Sequence, residues 1–180
     1  MEFIKRHPKI IILAGKAGSG KSKVASIIGD YYSSRGIKCI SVAYASYLKE
    51  YAKNILGWDG NESSKPREFL QEFGVSLIKN NIDSFFLINR VKQDILVYSY
   101  FYDVIVVTDA RFIDEIEEVK MISNNVVVIN IVRGESSLTL KQKNHITETA
   151  LDDYHEYDYI IENEDLEDLK CEVKKILEVI

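Results

Sequence analysis

The sequence has little cysteine and proline and no long apolar segment. Each of the two residue types occurs only twice among 180 residues. The cysteines, Cys39 and Cys171, are too few for a disulfide scaffold and lack the close spacing of a metal site. The longest apolar run near the N-terminus, Ile10–Ala14, is far too short to span a membrane. Residues 1–9 are charged and lack the apolar core of a signal peptide, so we expect a reducing, cytoplasmic setting.

The chain also lacks an excess of basic residues. It has 23 Lys and Arg against 28 Asp and Glu, which gives a formal net charge of -5. Binding to a nucleic-acid backbone requires clustered Lys and Arg, so a broad surface of that kind is not expected. A small basic pocket remains compatible with this composition. We therefore expect small-molecule partners, no nucleic acid and no membrane, with the chain a monomer or a homodimer.

Apolar and amphipathic segments alternate along the whole chain. The predicted strands are Lys9–Ala14, Lys38–Ala43, Tyr102–Thr108, Asn125–Val132 and Tyr157–Ile161. The predicted helices are Lys21–Ser34, Tyr47–Leu56, Arg67–Lys79, Ser84–Tyr98, Ile113–Met121 and Leu166–Ile180. This alternation implies right-handed crossovers, and hence a single domain over residues 1–180 with a parallel sheet. Ligands of such folds bind at the carboxyl ends of the strands.

The most specific motif is a glycine-rich segment, here called the phosphate-binding loop, at Gly15–Ser22. It fits G-x-x-x-x-G-K-[ST] in full, between a predicted buried strand and an amphipathic helix. Glycines let backbone N–H groups turn toward phosphate oxygens, and the following helix adds its positive N-terminus. Lys21 can reach the β- and γ-phosphates, and Ser22 can place its hydroxyl on Mg²⁺. The predicted nucleoside triphosphate contacts are Gly15, Ala17, Gly18, Ser19, Gly20, Lys21 and Ser22.

This motif in this context predicts an α/β protein with the three-layer P-loop NTPase fold. The expected architecture is a central parallel five-stranded sheet with helices on both faces.

An acidic residue ends the third predicted strand. Asp109 can hold Mg²⁺ through water or orient a second substrate, and Arg111 suits a bidentate grip on phosphate. An ATPase or GTPase would also have an acid at this place, but the nearby arginine favours an enzyme with a second anionic substrate. The alternative is that Asp109 caps the next helix and that Arg111 is solvated.

Further basic and polar residues are candidates for the second substrate. Lys49 lies one turn into a helix of the region at about 44–100, which we expect to bind the acceptor, and Arg67 stands at a helix start. Residues at about 133–150, which include Arg133 and Lys143, are expected to form a lid that excludes water. Solvated charges and a plain surface loop are the alternatives. A metal site at His145 and Glu148 is disfavoured because Mg²⁺ prefers oxygen ligands and substrate phosphates, and the alternative is that both residues cap and order their loop.

Several segments, in this order, resemble the phage-type deoxynucleoside monophosphate kinases, a branch of the P-loop kinases related to adenylate kinase. The loop alone is shared by many families, whereas the segments around Trp58, Asp109 and His145 are more specific. The matching segments are Gly15–Ser22, Leu48–Glu50, Leu56–Gly60, Arg67–Gln71 with Gly74, Asp109–Phe112 with Glu115, His145–Glu148, Leu151–Asp153 and Tyr157–Asn163.

The resemblance implies ATP and Mg²⁺ as cosubstrates and a nucleoside or deoxynucleoside monophosphate as acceptor. We expect Lys21, Asp109 and Arg111 to be catalytic, Ser22 and Asp109 to hold the metal, and Arg133 to contact ATP. The expected acceptor contacts are Ser46, Lys49, Arg67, Arg111, Lys143, His145 and Glu148. The chain departs from the family pattern at Ser46, where an Asp often stands, and at Ile113, where Pro is common.

Two other functions remain open from the sequence. One is a P-loop kinase of another phosphorylated small molecule, of the phosphomevalonate or coenzyme-precursor type. The other is a nucleotide-binding switch or an inactive binding module. No N-K-x-D guanine signature is present, which disfavours a GTPase.

Overall fold

The chain's architecture comes from a computed structural model that describes residues 3–60, 69–134 and 145–180. Within this described part, five strands form one sheet in the order β2-β3-β1-β4-β5, and every pairing is parallel. The strands are β1 Lys9–Ala14, β2 Cys39–Val42, β3 Val104–Ala110, β4 Val126–Val132 and β5 Tyr159–Glu162. The predicted five-stranded parallel sheet is confirmed.

The helices connect the strands and cover both faces of the sheet. They are α1 Lys21–Ser33, α2 Tyr44–Leu56, a π-helix Phe73–Ile82, α3 Phe86–Tyr98, α4 Ile113–Ile122, α5 Ile146–Thr149 and α6 Leu166–Val179. Residues 69–72 are α-helical and lead into the π-helix. No helix in these described ranges is long and apolar enough to cross a membrane.

Strand β1 lies at the centre of the sheet and is buried on both faces. Ile11 and Leu13 pack into a cluster with α1 and α6, whereas Ile10 and Ile12 pack into a second cluster with α3 and α4. Apolar side chains on both faces explain why this strand is a continuous apolar run rather than an alternating one. The three-layer α/β prediction is therefore confirmed, and the loop that follows β1 is held above the middle of the sheet.

Among the described residues, the helix predicted over Arg67–Lys79 is present, but most of it is a π-helix. After residues 69–72 the chain continues as the π-helix, whose wider turn changes which side chains face inward. Gly74 and Ile78 are buried, while Leu77 is 43% exposed. A Cβ on Gly74 would lie 2.8 Å from Leu48 Cδ1. Glycine at this position thus lets α2 approach the π-helix closely.

The predicted acceptor region at about 44–100 contains α2, the π-helix and α3. Of the predicted lid at about 133–150, the structure describes residues 133–134 and 145–150. Lys143 and the acceptor candidate Arg67 lie outside the described residues.

Two glycines allow the close contact of the loop with the sheet to be tested. Gly15 has φ +133°, and a Cβ there would overlap the carbonyl oxygen of Ile131 in β4. Gly29 lies inside α1, where a Cβ would meet nothing within 4 Å. We predict that Gly15→Ala lowers the free energy of unfolding by about 2 kcal/mol or more because of backbone strain.

The matched control, Gly29→Ala, should raise the free energy of unfolding by about 0.5–1 kcal/mol because alanine is the better helix former. Urea unfolding without nucleotide measures both changes. Equal effects of the two substitutions would contradict the packing of the loop against β4.

Candidate active site

The phosphate-binding loop connects β1 to α1 in a conformation that its glycines permit. Gly15, Gly18 and Gly20 all have positive φ, and Ser19 N–H donates to the Lys16 carbonyl at 3.2 Å. Gly20 is the N-cap of α1, so no side chain caps the first N–H groups of that helix. Uncapped N–H groups at a helix N-terminus favour an anion. The loop therefore has the geometry of a phosphate site.

Lys21 lies at the start of α1 and is 7% exposed. Its Nζ donates to the carbonyl oxygens of Gly15 at 2.6 Å and Lys16 at 2.7 Å. These bonds hold the ammonium group inside the loop rather than in solvent. The neighbouring Ser22 is exposed and lines the same cavity as Lys21.

Asn163, which directly follows β5, stabilises the phosphate-binding loop with a hydrogen bond. Its Nδ2 donates to the Ser19 carbonyl at 2.7 Å, and a Cβ on Gly20 would overlap that nitrogen. Thus Gly20 is required both for its φ of +109° and for the approach of Asn163. In the sequence, Asn163 stands out only as the end of a segment that carries the family resemblance. Nothing in the sequence pairs it with Ser19, 144 positions away.

Asp109 lies near the end of β3, as predicted, and it organises the start of α2. Its two carboxylate oxygens accept the N–H groups of Tyr44 at 2.8 Å and Ala45 at 2.9 Å. The N-cap residue of α2, Ala43, has no side-chain cap of its own. Asp109 thus supplies the missing cap from another element, and α2 begins at Tyr44 rather than at Tyr47.

Desolvation raises the pKa of Asp109 above its ordinary value. The N–H groups of Ala45 and Tyr44, and the positive charges of Arg111 and Lys21, oppose that shift. The Asp109 carboxylate therefore caps α2 and also interacts electrostatically with Lys21 of the phosphate-binding loop.

Arg111 and Glu148 form an ion pair beside the loop. Arg111 Nη1 contacts Glu148 Oε1, and it lies 3.5 Å from the Thr147 carbonyl oxygen. The other carboxylate oxygen, Oε2, accepts the Ala17 N–H at 2.7 Å. The Glu148 side chain is 1% exposed and that of Arg111 is 27% exposed. A buried carboxylate is thus shared by the loop and the arginine.

Glu115 is a second buried carboxylate near Arg111. Its Oε2 accepts the backbone N–H groups of Arg111 at 2.7 Å and Phe112 at 3.1 Å, at the N-terminus of α4. Burial raises the pKa of Glu115 to about 8, and the nearby charge of Asp109 adds to the shift. The bonds from both N–H groups and the charge of Lys79 act in the opposite direction. Glu115 fixes the backbone at Arg111.

One cavity of about 890 Å³, here called the larger cavity, brings most of the predicted site residues together. It lies between the phosphate-binding loop, the end of β3, α2 and the π-helix. The predicted residues among its lining are Ala17, Gly18, Gly20, Lys21, Ser22, Ser46, Lys49, Asp109 and Arg111. The donor loop and the acceptor candidates therefore share one space.

The larger cavity is also lined by aromatic and polar residues to which the sequence reasoning gave no role. Tyr44, Trp58 and Phe112 are the aromatic ones, and Lys79 Nζ lies 3.6 Å from the centre of the Phe112 ring. Gln71 Nε2 donates to Thr147 Oγ1 at 3.1 Å and so links the residues before the π-helix to α5. Trp58, Phe112 and Gln71 lie in segments that carry the family resemblance, which was the only available signal.

A smaller cavity of about 430 Å³ lies on the other side of the loop, near the ends of β4 and β5. The predicted residues among its lining are Gly15, Ala17, Gly18, Ser19, Arg133 and Glu148. Arg133 is exposed at the end of β4 and does not line the larger cavity. Its predicted contact with ATP stays a prediction.

His145 caps the short helix α5. Its Nδ1 accepts the Thr147 N–H at 3.3 Å and lies 3.0 Å from Thr147 Oγ1. This is the loop-ordering alternative that the sequence left open, and a direct substrate contact stays a prediction. Across residues 3–60, 69–134 and 145–180, no group of three or more His, Cys, Asp or Glu could hold a metal ion.

The parallel sheet, with the phosphate-binding loop directly after its central strand, identifies the class of protein. The chain has the fold of the P-loop kinases. The Mycobacterium tuberculosis APS kinase CysC, solved with AMPPNP and APS, is 11% identical, with 96% of this chain and 97% of that chain covered and a TM-score of 0.54. A gluconokinase from Sinorhizobium meliloti 1021 is 14% identical, with 97% of each chain covered and a TM-score of 0.52. At these identities the likeness shows the fold alone.

The family follows from the sequence itself. The model of the family described as deoxynucleotide monophosphate kinase matches residues 31–173. The chain therefore belongs to that family, and the predictions of a nucleotide kinase and an ATP-dependent phosphotransferase are confirmed. The match begins after the phosphate-binding loop, so the loop motif adds independent support. No curated protein sequence matches the chain.

The raised pKa of Glu115 predicts a pH dependence of stability. Between about pH 4.5 and pH 8 the folded chain keeps a proton on Glu115 that the unfolded chain loses. Stability contributed by this group is therefore present at low pH and is lost as the pH rises toward 8. The free energy of unfolding should fall by up to about 1.4 kcal/mol per pH unit in this range.

The variant Glu115→Gln, which cannot titrate, should show a flatter profile in urea unfolding from pH 5 to pH 8. Glu118→Gln is the control, because Glu118 is on the same helix but pairs with Lys92 instead. If Glu115→Gln and the wild type have the same slope, the carboxyl of Glu115 does not carry this proton.

Proposed function

We propose that this protein transfers the γ-phosphoryl group of ATP to a deoxynucleoside monophosphate. The observation that carries the proposal is the shared larger cavity, in which the phosphate-binding loop and Arg111 face the same space. A kinase with two phosphate-bearing substrates must hold two anions together, and this requires separate cationic sites within reach of each other. The family match supports the same conclusion.

In this proposal the donor is held by the loop. The N–H groups of Gly18, Ser19 and Gly20 and the start of α1 would face the β- and γ-phosphates, with Lys21 beside them. Gly15 and Ala17 shape the loop, and Arg133 would approach the nucleoside from the end of β4. The AMPPNP complex of the structurally similar APS kinase supports an ATP-type donor here.

The side-chain oxygens near Lys21, those of Ser22 and Asp109, suit Mg²⁺, which is a hard cation that prefers oxygen ligands and substrate phosphates. Ser22 would offer its hydroxyl, and Asp109 would act through water, since both its oxygens already accept N–H groups. Bound there, the ion would neutralise charge on the transferred phosphoryl group.

The acceptor would occupy the part of the cavity next to α2 and the π-helix. The Arg111 guanidinium would bind its phosphate, assisted by Ser46 and Lys49, which line the same space. Arg67, Lys143, His145 and Glu148 remain further candidates from the sequence. Trp58 and Phe112 offer aromatic surface for a nucleobase.

The chemistry needs no general base, because an oxygen of the acceptor monophosphate is already ionised. That oxygen attacks the γ-phosphorus of ATP, the bond to the β–γ bridging oxygen breaks, and ADP leaves with the electron pair. The protein's part is to position the two substrates and to stabilise charge. A cytoplasmic setting and a monomeric or homodimeric state are proposals as well.

The direct test is ADP formation from Mg-ATP against a panel of ribo- and deoxynucleoside monophosphates, with a control lacking acceptor. We expect ADP formation to depend on at least one deoxynucleotide. Phosphomevalonate belongs in the panel as a non-nucleotide acceptor. ADP formation that ignores the acceptor would instead indicate an ATPase or a switch, and formation only with the non-nucleotide acceptor would contradict the proposed substrate class.

Lys21→Met should lower acceptor-dependent kcat/KM by about a hundredfold to a thousandfold, because it removes the cation closest to the transferred group. The methionine keeps most of the side-chain volume, so we expect the fold to persist. Lys175→Ala, at an exposed position on α6, is the control and should leave kcat/KM unchanged. Near-normal transfer by Lys21→Met would overturn the role of the loop.

A further inference from the structure

Glu148 occupies an unusual position for a residue expected to contact substrate. Its side chain is 1% exposed, and its two carboxylate oxygens have different partners within the protein. Oε2 accepts the Ala17 N–H of the phosphate-binding loop at 2.7 Å, and Oε1 pairs with Arg111 Nη1. A substrate could reach the carboxylate only by displacing one of these partners. The side chain is therefore placed to connect two protein groups.

The two groups that Glu148 connects belong to opposite halves of the proposed reaction. Ala17 is part of the loop that would hold the donor, and Arg111 would hold the acceptor phosphate. Arg111 keeps 27% of its side chain exposed and lines the larger cavity, so the pairing with Glu148 leaves part of it facing that cavity. One carboxylate thus sets where the arginine stands relative to the loop.

The segment that carries Glu148 is itself held firmly. Thr147 accepts a bond from Gln71 next to the π-helix, and His145 caps α5. Farther along, Tyr154 donates its hydroxyl to Glu117 at 2.8 Å and accepts a bond from Lys120 Nζ at 2.7 Å, both on α4. Glu148 therefore belongs to a segment that several hydrogen bonds hold in place, and a positioning residue requires such support.

Stability alone is a weak reason for a charged pair at this place. The desolvation of the buried Glu148 carboxylate offsets much of its attraction to the partly buried Arg111, whereas removal of one partner leaves a costly unpaired charge. By contrast, phosphoryl transfer is sensitive to geometry, and a misplacement of about 1 Å can lower the rate by about a hundredfold. A rigid link between the phosphate-binding loop and Arg111 would keep the two phosphate groups correctly placed for this reaction.

We propose that Glu148 is a positioning residue that ties the Arg111 guanidinium to the phosphate-binding loop and so fixes the acceptor-phosphate site relative to the donor site. The proposal rests on the proposed function for its kinetic consequence. Its physical content, a coupling of Arg111 to the loop through one carboxylate, does not depend on which acceptor is used.

The kinetic test compares Glu148→Gln and Glu148→Asp with the wild type. Gln keeps the size but not the charge, and Asp keeps the charge but is one methylene too short to span both partners. Both should lower kcat by about tenfold to a hundredfold while the acceptor KM stays within about threefold. Glu118→Gln removes another ion pair, with Lys92 at 2.5 Å, and should leave both constants unchanged.

A rise of the acceptor KM by more than tenfold with an unchanged kcat would overturn the proposal, since it would make Glu148 a direct substrate contact. Unchanged kinetics in both variants would also overturn it. Thermal unfolding of each variant establishes that the fold is intact before the rates are compared.

A second test needs no turnover and so separates this proposal from the proposed function. The dissociation constant of AMPPNP is measured for the wild type, Glu148→Gln, Arg111→Gln and the double variant. In the wild-type background, Arg111→Gln leaves the negative charge of Glu148 uncompensated beside the loop and should weaken binding by about tenfold or more. In the Glu148→Gln background the same change should weaken binding by no more than about twofold.

Equal factors in the two backgrounds would show that Arg111 and Glu148 act independently, and this would overturn the proposal. Arg111→Met, which also removes the positive charge, repeats the comparison if Arg111→Gln does not fold. A wild type that binds AMPPNP but transfers nothing to any monophosphate would count against the proposed function alone, because the binding cycle would still decide the role of Glu148.

Discussion

The active site depends on carboxylates that accept backbone N–H groups from other segments of the chain. Asp109 holds the first turn of α2, Glu115 holds the backbone at Arg111, and Glu148 holds the loop at Ala17. These bonds are 2.7–2.9 Å long, and each fixes one segment against another. Together they connect the phosphate-binding loop, the end of β3 and the start of α2. Lys21 and Arg111 line one cavity between these segments.

These carboxylates also explain how an acidic chain can hold two anionic substrates. The net charge is -5, yet Lys21, Lys49, Lys79 and Arg111 all line the larger cavity. The acids near this cavity are engaged with N–H groups and with Arg111, which offsets part of their field. The positive charge that substrates meet is therefore local, and it is set by which groups face the cavity rather than by composition.

The sequence was sufficient for the parts of the site that are contiguous along the chain. The phosphate-binding loop was predicted because its glycines and Lys21 lie within eight residues, and β1 was predicted because a strand buried on both faces is continuously apolar. The identification of Asp109 and Arg111 as a pair near the end of β3 rested on the same local logic.

The rest required contacts between residues far apart in sequence. Ala17 and Glu148 are separated by 131 positions, and Tyr44 and Asp109 by 65. Hydrophobic periodicity shows which face of a helix is buried but not which main-chain N–H group a distant carboxylate will accept. The π-helix was missed for a similar reason, since its wider turn accompanies the close approach of Leu48 to Gly74, a tertiary contact.

In the proposed reaction, the donor and acceptor phosphates bind side by side in one cavity. This can be examined by calorimetry with a single molecule in which adenosine and a deoxynucleoside are joined through five phosphates. We expect one such molecule to bind per chain, with a dissociation constant at least about a hundredfold lower than that of ATP, because the second group binds at high effective concentration. Binding no tighter than that of ATP, for every base tried, would contradict a shared cavity.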